Sequence, residues 1–235
     1  RGLTVAEKVT IGRATLYRGD CREVLPHVQA DAVVSDPPYG MSWDTNHSRF
    51  VRGTHGKGGR VPDKTPVHDD DKPFDPAPWL AFQKVVLWGS NHYAQRLPVG
   101  TTLVWLKRND AGFGSFLSDA ELGWMNTGHG VYARRDLSMN AETLTRLHPT
   151  QKPVSLMEWC IQLVKLAPGA TVLDPYMGAG STGVAAMNLG LKFVGVEIHR
   201  QYFDEACRRI EDAQRQAPLL PLDQTPVATQ QVMEL

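Results

Sequence analysis

The chain reads as an α/β domain with a mainly parallel sheet and helices on both faces, and three observations carry that reading. Short apolar runs are followed by tight turns and then by segments of helical periodicity, three times over. Each of those runs ends at a carboxylate: Asp36, Asp174 and Glu197. No apolar run approaches the roughly 20 residues of a membrane helix; Lys84 to Trp88 is strand-sized. In parallel sheets ligands bind beyond the carboxyl ends of the strands, so the three acids are expected on one rim.

The elements follow in order. Val9 to Arg18 reads as a hairpin. Asp31 to Ser35, with paired valines, reads as a strand stopped by Asp36-Pro37-Pro38-Tyr39-Gly40, because two prolines cannot continue a central strand. Further strands are expected at Val85 to Trp88 and Thr102 to Leu106. Pro153 suits a helix start, with Val154, Met157, Ile161 and Val164 facing inward until Pro168-Gly169. Thr171 to Asp174 runs into a glycine turn, Gly178 to Gly183, followed by a helix from Val184 to Leu189 with Gly190 as its stop. Phe193 to Glu197 is the third strand. A helix from about Gln201 then places Phe203, Ala206, Cys207 and Ile210 on one stripe. Residues 1–210 are expected to form a single domain, with a mobile loop at about 41–75. Glu211 to Leu235 lacks an apolar period and reads as a tail.

Composition narrows the function classes. The 235 residues are 42% hydrophobic and 21% charged, the make-up of one globular domain and not of a fibre or a disordered chain. A cytoplasmic location is expected, since no secretory pattern is seen. Cys21, Cys160 and Cys207 form no Cys-x-x-Cys pair, and the eight histidines show no paired ligand spacing, so neither a disulfide framework nor a bound metal is expected. Lys and Arg total 25, as do Asp and Glu, so any anionic partner would be met by local patches. One such patch is the glycine-rich stretch with Arg49, Arg52, Lys57, Arg60 and Lys64. An acidic stretch follows at Asp69, Asp70, Asp71 and Asp75.

Gly178-x-Gly180-x-x-Gly183 after a strand, with Glu197 ending the next, satisfies a dinucleotide fingerprint. Glycines at such a turn let a ligand approach the backbone, and the acid suits ribose hydroxyls, so the pattern says adenosine before it says a nicotinamide cofactor. Asp174 tilts the choice: a carboxylate there would repel a pyrophosphate but suit an ammonium group, as carried by S-adenosylmethionine. The Asp36-Pro37-Pro38-Tyr39 turn poses a complementary chemistry. An exocyclic aromatic amine is a poor nucleophile because its lone pair is delocalised. Asp36 and the Pro37 carbonyl can accept its two hydrogens, and Tyr39 can stack on the base once it has left the duplex.

Asp36-Pro37-Pro38-Tyr39, His148-Pro149-Thr150-Gln151-Lys152-Pro153 and Asp174-Pro175-Tyr176-Met177-Gly178-Ala179-Gly180-Ser181-Thr182 together resemble the DNA amino-methyltransferases. The order resembles their permuted beta class, in which the catalytic turn precedes the cofactor loop. Gly19-Asp20-Cys21, Gly195-Val196-Glu197, Trp88 to His92 and Ser118 to Leu122 add to the likeness, the last two to small phage and prophage members. The resemblance implies the S-adenosylmethionine-dependent methyltransferase fold, Rossmann-like with circularly permuted motifs, and methyl transfer to adenine N6 in double-stranded DNA. It assigns Asp36, Pro37, Pro38 and Tyr39 to the target amine and base. Asp174, Tyr176, Gly178, Gly180, Ser181 and Thr182 would line the methionine part of the cofactor, with Asp36 beside them. Glu197 would meet the ribose and Asp20 with Cys21 the adenine, while Thr150, Gln151 and Lys152 would close over the amino-acid end. Tyr176 and Ala179 depart mildly from the family pattern, and neither change removes an ionisable group.

Cytosine N4 is the nearest alternative, because its amine poses the same problem; in relatives Ser often replaces the first Asp for cytosine, so Asp36 points to adenine. RNA or protein amides, where the turn tends to begin with Asn, and a nucleotide-binding oxidoreductase are the other readings. Target recognition is expected from an insertion at about 107–147, with Lys107, Arg108, Arg134 and Arg135 joining Arg49, Arg52, Lys57 and Arg60 as DNA contacts. A homodimer is compatible with the resemblance, and no restriction-enzyme partner is legible.

Overall fold

Alternation of side chains along each short strand decides which residues face which layer, and it sets up a sheet buried on both sides. The structure is a computed structural model and describes residues 7–42, 70–114, 118–138 and 151–216. In chain order the strands are β1 (Glu7–Ile11), β2 (Ala14–Arg18), β3 (Ala32–Ser35), β4 (Val85–Trp88), β5 (Thr101–Leu106), β6 (Ala120–Met125), β7 (Val131–Arg135), β8 (Thr171–Asp174) and β9 (Lys192–Glu197). The helices are α1 (Cys21–Val24), α2 (Ala77–Leu80), α3 (Val154–Leu163), α4 (Ser181–Asn188) and α5 (Arg200–Gln216).

The strands form one sheet in the order β1-β2-β9-β8-β3-β4-β6-β5-β7. Neighbours from β2 through β4 are parallel, as are β5 and β7, whereas β1/β2, β4/β6 and β5/β6 are antiparallel. The mainly parallel sheet read from the sequence is therefore present. On one face, Ala32, Val34, Val86, Trp88, Val172 and Phe193 pack under α3, α4 and α5. On the other, Val33, Val85, Leu87, Leu173 and Val196 pack with Val24, Trp79, Phe74 and Tyr93, which come from short helices and connecting turns. Among the described residues the long helices α3, α4 and α5 thus lie on one side, while the other carries the short helices α1 and α2 with connecting turns, the material of a binding cleft.

Four boundaries differ from expectation, each for a local reason. Helix α3 stops at Leu163 and not at Pro168, because Lys165 takes a left-handed conformation with φ 50°. Helix α4 begins inside the glycine turn, with Gly180 at φ 82° as its N-cap. Helix α5 runs past the expected boundary at residue 210 to Gln216, and near its end Gln214 donates to Ile11 O at 2.5 Å and accepts from Arg13 N at 3.2 Å. The described part of the expected recognition insertion at 107–147 is woven into the sheet, with β6 between β4 and β5 and β7 at the edge. Gly123 makes the β6 position workable, as a Cβ there would stand 3.2 Å from the Trp88 ring. Arg49, Arg52, Lys57, Arg60 and most of the loop expected at 41–75 lie outside the described residues, as does Thr150.

The third glycine of the turn has a packing role. A Cβ on Gly183 would come within 2.4 Å of Ile210 Cδ1 and 2.8 Å of Phe193 Cε1, so α4 could not lie as close to α5 and β9. Gly183→Ala is expected to lower stability by about 1 to 3 kcal/mol through overpacking, measured by urea denaturation. An unchanged midpoint would show that this contact relaxes freely.

Candidate active site

Strands β3 and β8 are parallel neighbours at the centre of the sheet, with Val33 paired to Leu173. Their carboxyl ends therefore lie side by side, which brings the Asp36-Pro37-Pro38-Tyr39 turn beside the glycine turn. Strand β9 runs parallel on the other side of β8 and adds Glu197 to the same rim. These ends open into one cleft of about 1130 Å³, lined by both turns, by Asp20 and Cys21, by Phe74 and Trp79, and by Gln151 and Lys152. The three strand-end acids are brought together as expected.

At the glycine turn the carboxylates hold the backbone. Asp174 is 2% exposed; its Oδ1 accepts from Ser35 Oγ at 2.6 Å and Tyr176 N at 3.1 Å, and its Oδ2 from Thr182 Oγ1 at 2.6 Å. With both oxygens taken, Asp174 braces the turn, and Thr182 is bound up in the same network. Glu197 accepts from Gly178 N at 3.0 Å and His199 N at 2.7 Å. Gly178 and Gly180 take φ of 50° and 82°, which favours glycine. Arg209 donates to Ala179 O and reaches Ser181 Oγ at 3.5 Å.

Around the opposite wall, Asp20 caps α1 by accepting from Arg22 N and pairs with the Arg22 guanidinium at 2.6 Å. Burial raises the Cys21 thiol to about 11 despite its hydrogen bond to Tyr176, so it is no nucleophile. Tyr176 meets Phe74 and Trp79 edge-on, with ring centroids 6.0 and 5.7 Å apart. This gives the unusual tyrosine a place that combines a hydroxyl partner with an aromatic wall.

The Asp36 turn is organised by a lysine from a distant part of the chain. Lys152, expected near a cofactor's amino-acid end, is 6% exposed and turned into the Asp36 turn. Its Nζ lies 2.5 Å from Asp36 Oδ2, 3.0 Å from Glu121 Oε2 and 3.2 Å from the Tyr39 hydroxyl. The Tyr39 hydroxyl donates to the other Asp36 oxygen. Tyr39 also stacks on His92, with centroids 5.0 Å apart and planes 11° from parallel. Gly89 permits this ring position, because a Cβ there would come within 2.0 Å of the ring. Below the turn, Asp70, which the sequence placed in an acidic stretch, is buried and accepts from Gly40 N at 2.8 Å.

Glu121 and His92 lie in the stretches Ser118 to Leu122 and Trp88 to His92 that add to the family likeness, and Asp70 in the acidic stretch, but none of the three has a role in the site assigned from sequence. Gln151 Oε1 is buried without a hydrogen-bond partner and lines the cleft. The described basic candidates are all tied to acids: Lys107 to Glu121 at 2.8 Å, Arg108 to Asp119 at 3.9 Å, Arg134 to Asp136 at 3.8 Å and Arg135 to Asp110 at 2.5 Å. Lys107 and Arg108 line the cleft, whereas Arg134 and Arg135 stand on the edge strand. Among the described residues no group of three or more His, Cys, Asp or Glu could hold a metal, and no helix is long and apolar enough to cross a membrane.

The electrostatics follow from burial and partners. Burial raises Asp36, with Lys152 acting against it. Glu121 is brought down to about 2, because Lys152 and Lys107 outweigh the effect of its burial. Burial pushes Asp174 up to about 6 against the hydroxyls of Ser35 and Thr182, and Glu197 up to about 7 against the backbone N–H groups of His199, Gly178 and Ile198. For Glu197 the folded value lies above the ordinary 4.5, so the folded state holds the extra proton between them. Stability from this group is therefore present below about 4.5 and is lost as pH rises to about 7. Glu197→Gln is expected to flatten the fall in melting temperature between about pH 5 and about pH 7.5, read by thermal unfolding. An equal fall in both proteins would remove Glu197 as its source.

Comparison with known proteins bears on the fold and on part of the chain. Residues 124–208 match a family model described as DNA methylase, a span that includes Lys152 and the glycine turn. The chain is 32% identical over 112 residues to the type II methyltransferase M2.DpnII of Streptococcus pneumoniae, covering 47% of this chain and 41% of that protein. It is 31% identical over 111 residues to the type II methyltransferase M2.LlaDCHI of Lactococcus lactis subsp. cremoris, covering 46% and 41%. The chain thus spans about two fifths of the length of the curated relatives it matches. A solved M1.HpyAVI-SAM complex superposes with a TM-score of 0.54 at 21% identity, covering 83% of this chain and 99% of that one. PvuII DNA methyltransferase, described as cytosine-N4-specific, superposes with a TM-score of 0.56 at 14% identity, covering 90% and 95%. The chain has the fold of these methyltransferase structures, and its segment 124–208 matches the DNA methylase family.

Proposed function

We propose that this chain is an S-adenosylmethionine-dependent DNA amino-methyltransferase that acts on adenine N6 in double-stranded DNA. The observation that carries the reading is the meeting of the Asp36 turn and the glycine turn in one cleft, at the ends of adjacent parallel strands. The residues fit the cofactor. Gln151 Oε1 is a buried acceptor lacking a donor, and the cofactor's α-ammonium is a donor needing one. Glu197 lies on the rim where a ribose would be met, and the wall of Phe74, Trp79 and Tyr176 suits a flat base. When bound, the cofactor supplies a methyl already activated on a sulfonium.

The chain's own part is positioning and proton handling. Asp36 and the Pro37 carbonyl accept the two hydrogens of the target amine, which favours a pyramidal nitrogen with its lone pair directed outward. Burial raises Asp36, so it is better suited to take the proton that the amine sheds than an exposed aspartate would be. Tyr39 is held by His92 and Gly89, which orients its ring before any base arrives. None of the cysteines lies in the catalytic turn, in keeping with direct transfer and no covalent adduct. The presence of Asp36, where cytosine-directed relatives often carry Ser, supports adenine.

Asp36→Ala is expected to reduce methyl transfer to unmethylated DNA by at least about a hundredfold while cofactor affinity stays within about threefold. Transfer is read from labelled methyl incorporation and affinity by calorimetry. Retained turnover would place the catalytic centre elsewhere.

A further inference from the structure

A target amine approaching Asp36 meets two donors already bound there. Both carboxylate oxygens are taken, Oδ1 by the Tyr39 hydroxyl and Oδ2 by the Lys152 ammonium at 2.5 Å. An ammonium this buried cannot be released into empty space, because an unpaired buried charge costs several kcal/mol. It needs a second acceptor within reach. Glu121 Oε2 stands 3.0 Å from Lys152 Nζ and is itself buried, so it already pairs with the ammonium alongside Asp36. Its other oxygen is anchored by Lys107 at 2.8 Å, which fixes the carboxylate without using the atom that faces Lys152. Strand β6 brings Glu121 there by pairing antiparallel with β4, Gly123 opposite Trp88, so that the strand's beginning lies at the carboxyl end of β4.

We propose that Glu121 is a positioning residue: it is the second acceptor, to which the Lys152 ammonium turns when the target amine takes its place on Asp36. This rests on the reading of Asp36 as the amine's acceptor. A small rotation about the lysine stem exchanges one carboxylate for the other without exposing the charge. Lys107, Glu121, Lys152 and Asp36 alternate in sign, so the exchange leaves the site neutral at every stage. It also removes the cation from Asp36 at the moment when that carboxylate must accept from the amine.

Glu121→Gln keeps the shape and removes the charge, leaving Lys152 held on Asp36. The groups facing Asp36 are Lys152 from the segment before α3, Glu121 from β6, Tyr39 from its own turn, Tyr93 after β4 and Asp174 from β8. In the protein alone, a carbon-13 carboxyl titration is expected to show the Asp36 midpoint lower in Glu121→Gln than in wild type, because a neighbouring negative charge has gone. In single-turnover transfer to unmethylated genomic DNA, the rate is expected to fall about tenfold while cofactor affinity stays within about twofold. Glu121→Asp, which retains the charge, is expected to fall between the two. A Gln variant as fast as wild type, an Asp variant as slow as the Gln variant, or an unmoved Asp36 midpoint would each overturn the assignment. Wild-type protein that transfers no methyl to DNA would instead overturn the function proposed above, and the titration would still decide whether Glu121 governs Asp36.

Discussion

The contact between Lys152 and Asp36 joins two stretches of chain 116 residues apart and fixes the geometry of the Asp36 turn. Lys152 stands just before α3, whose Leu156, Met157, Cys160 and Ile161 are buried against the sheet, so the ammonium is delivered from a rigid support. Asp36 follows β3, all of whose residues are buried. Removing Lys152 would leave the buried Asp36 carboxylate without its cation, at a cost of about 3 to 5 kcal/mol, whereas removing Asp36 leaves Lys152 paired with Glu121. Glu121 and Tyr39 share that contact, and through His92 and Gly89 it reaches the turn after β4. The cleft is consequently organised around a charge network that exists before any substrate enters, as preorganised catalysis requires.

Charge is balanced locally as well as globally. The chain's zero net charge is matched at the cleft, where Lys107 and Arg108 are each paired with an acid. A DNA phosphate would have to compete with those acids, so phosphate attraction from these positions is weaker than a count of basic residues suggests. At the glycine turn the balance is different. Burial raises Asp174 and Glu197, and among the described residues both are held by backbone donors or hydroxyls and not by a cation. A ligand carrying positive charge and hydroxyl donors would relieve that strain.

Much of the fold was legible because its signals are local. Paired prolines stop β3, glycines open α4, and apolar stripes mark the inner faces of α3 and α5. The rim of Asp36, Asp174 and Glu197 followed from strand ends alone. What could not be read was long-range. Nothing near Lys152 in sequence indicates that it pairs with Asp36, since that depends on where α3 lies across the sheet. Glu121 belongs to the site only because β6 inserts between β4 and β5, out of chain order. Asp70 looked like part of a solvated acidic run, yet its carboxylate secures the backbone after Tyr39.

The central claim is that this cleft transfers a methyl group to an exocyclic amine of a DNA base. Its most direct test is to incubate the protein with unmethylated DNA and methyl-labelled S-adenosylmethionine, digest to nucleosides, and identify the labelled product by mass. The account predicts label on N6-methyladenine. Label on cytosine N4 would keep the chemistry of the Asp36 turn and overturn the inference from aspartate to adenine. Cofactor binding with no label on any DNA nucleoside would contradict the account.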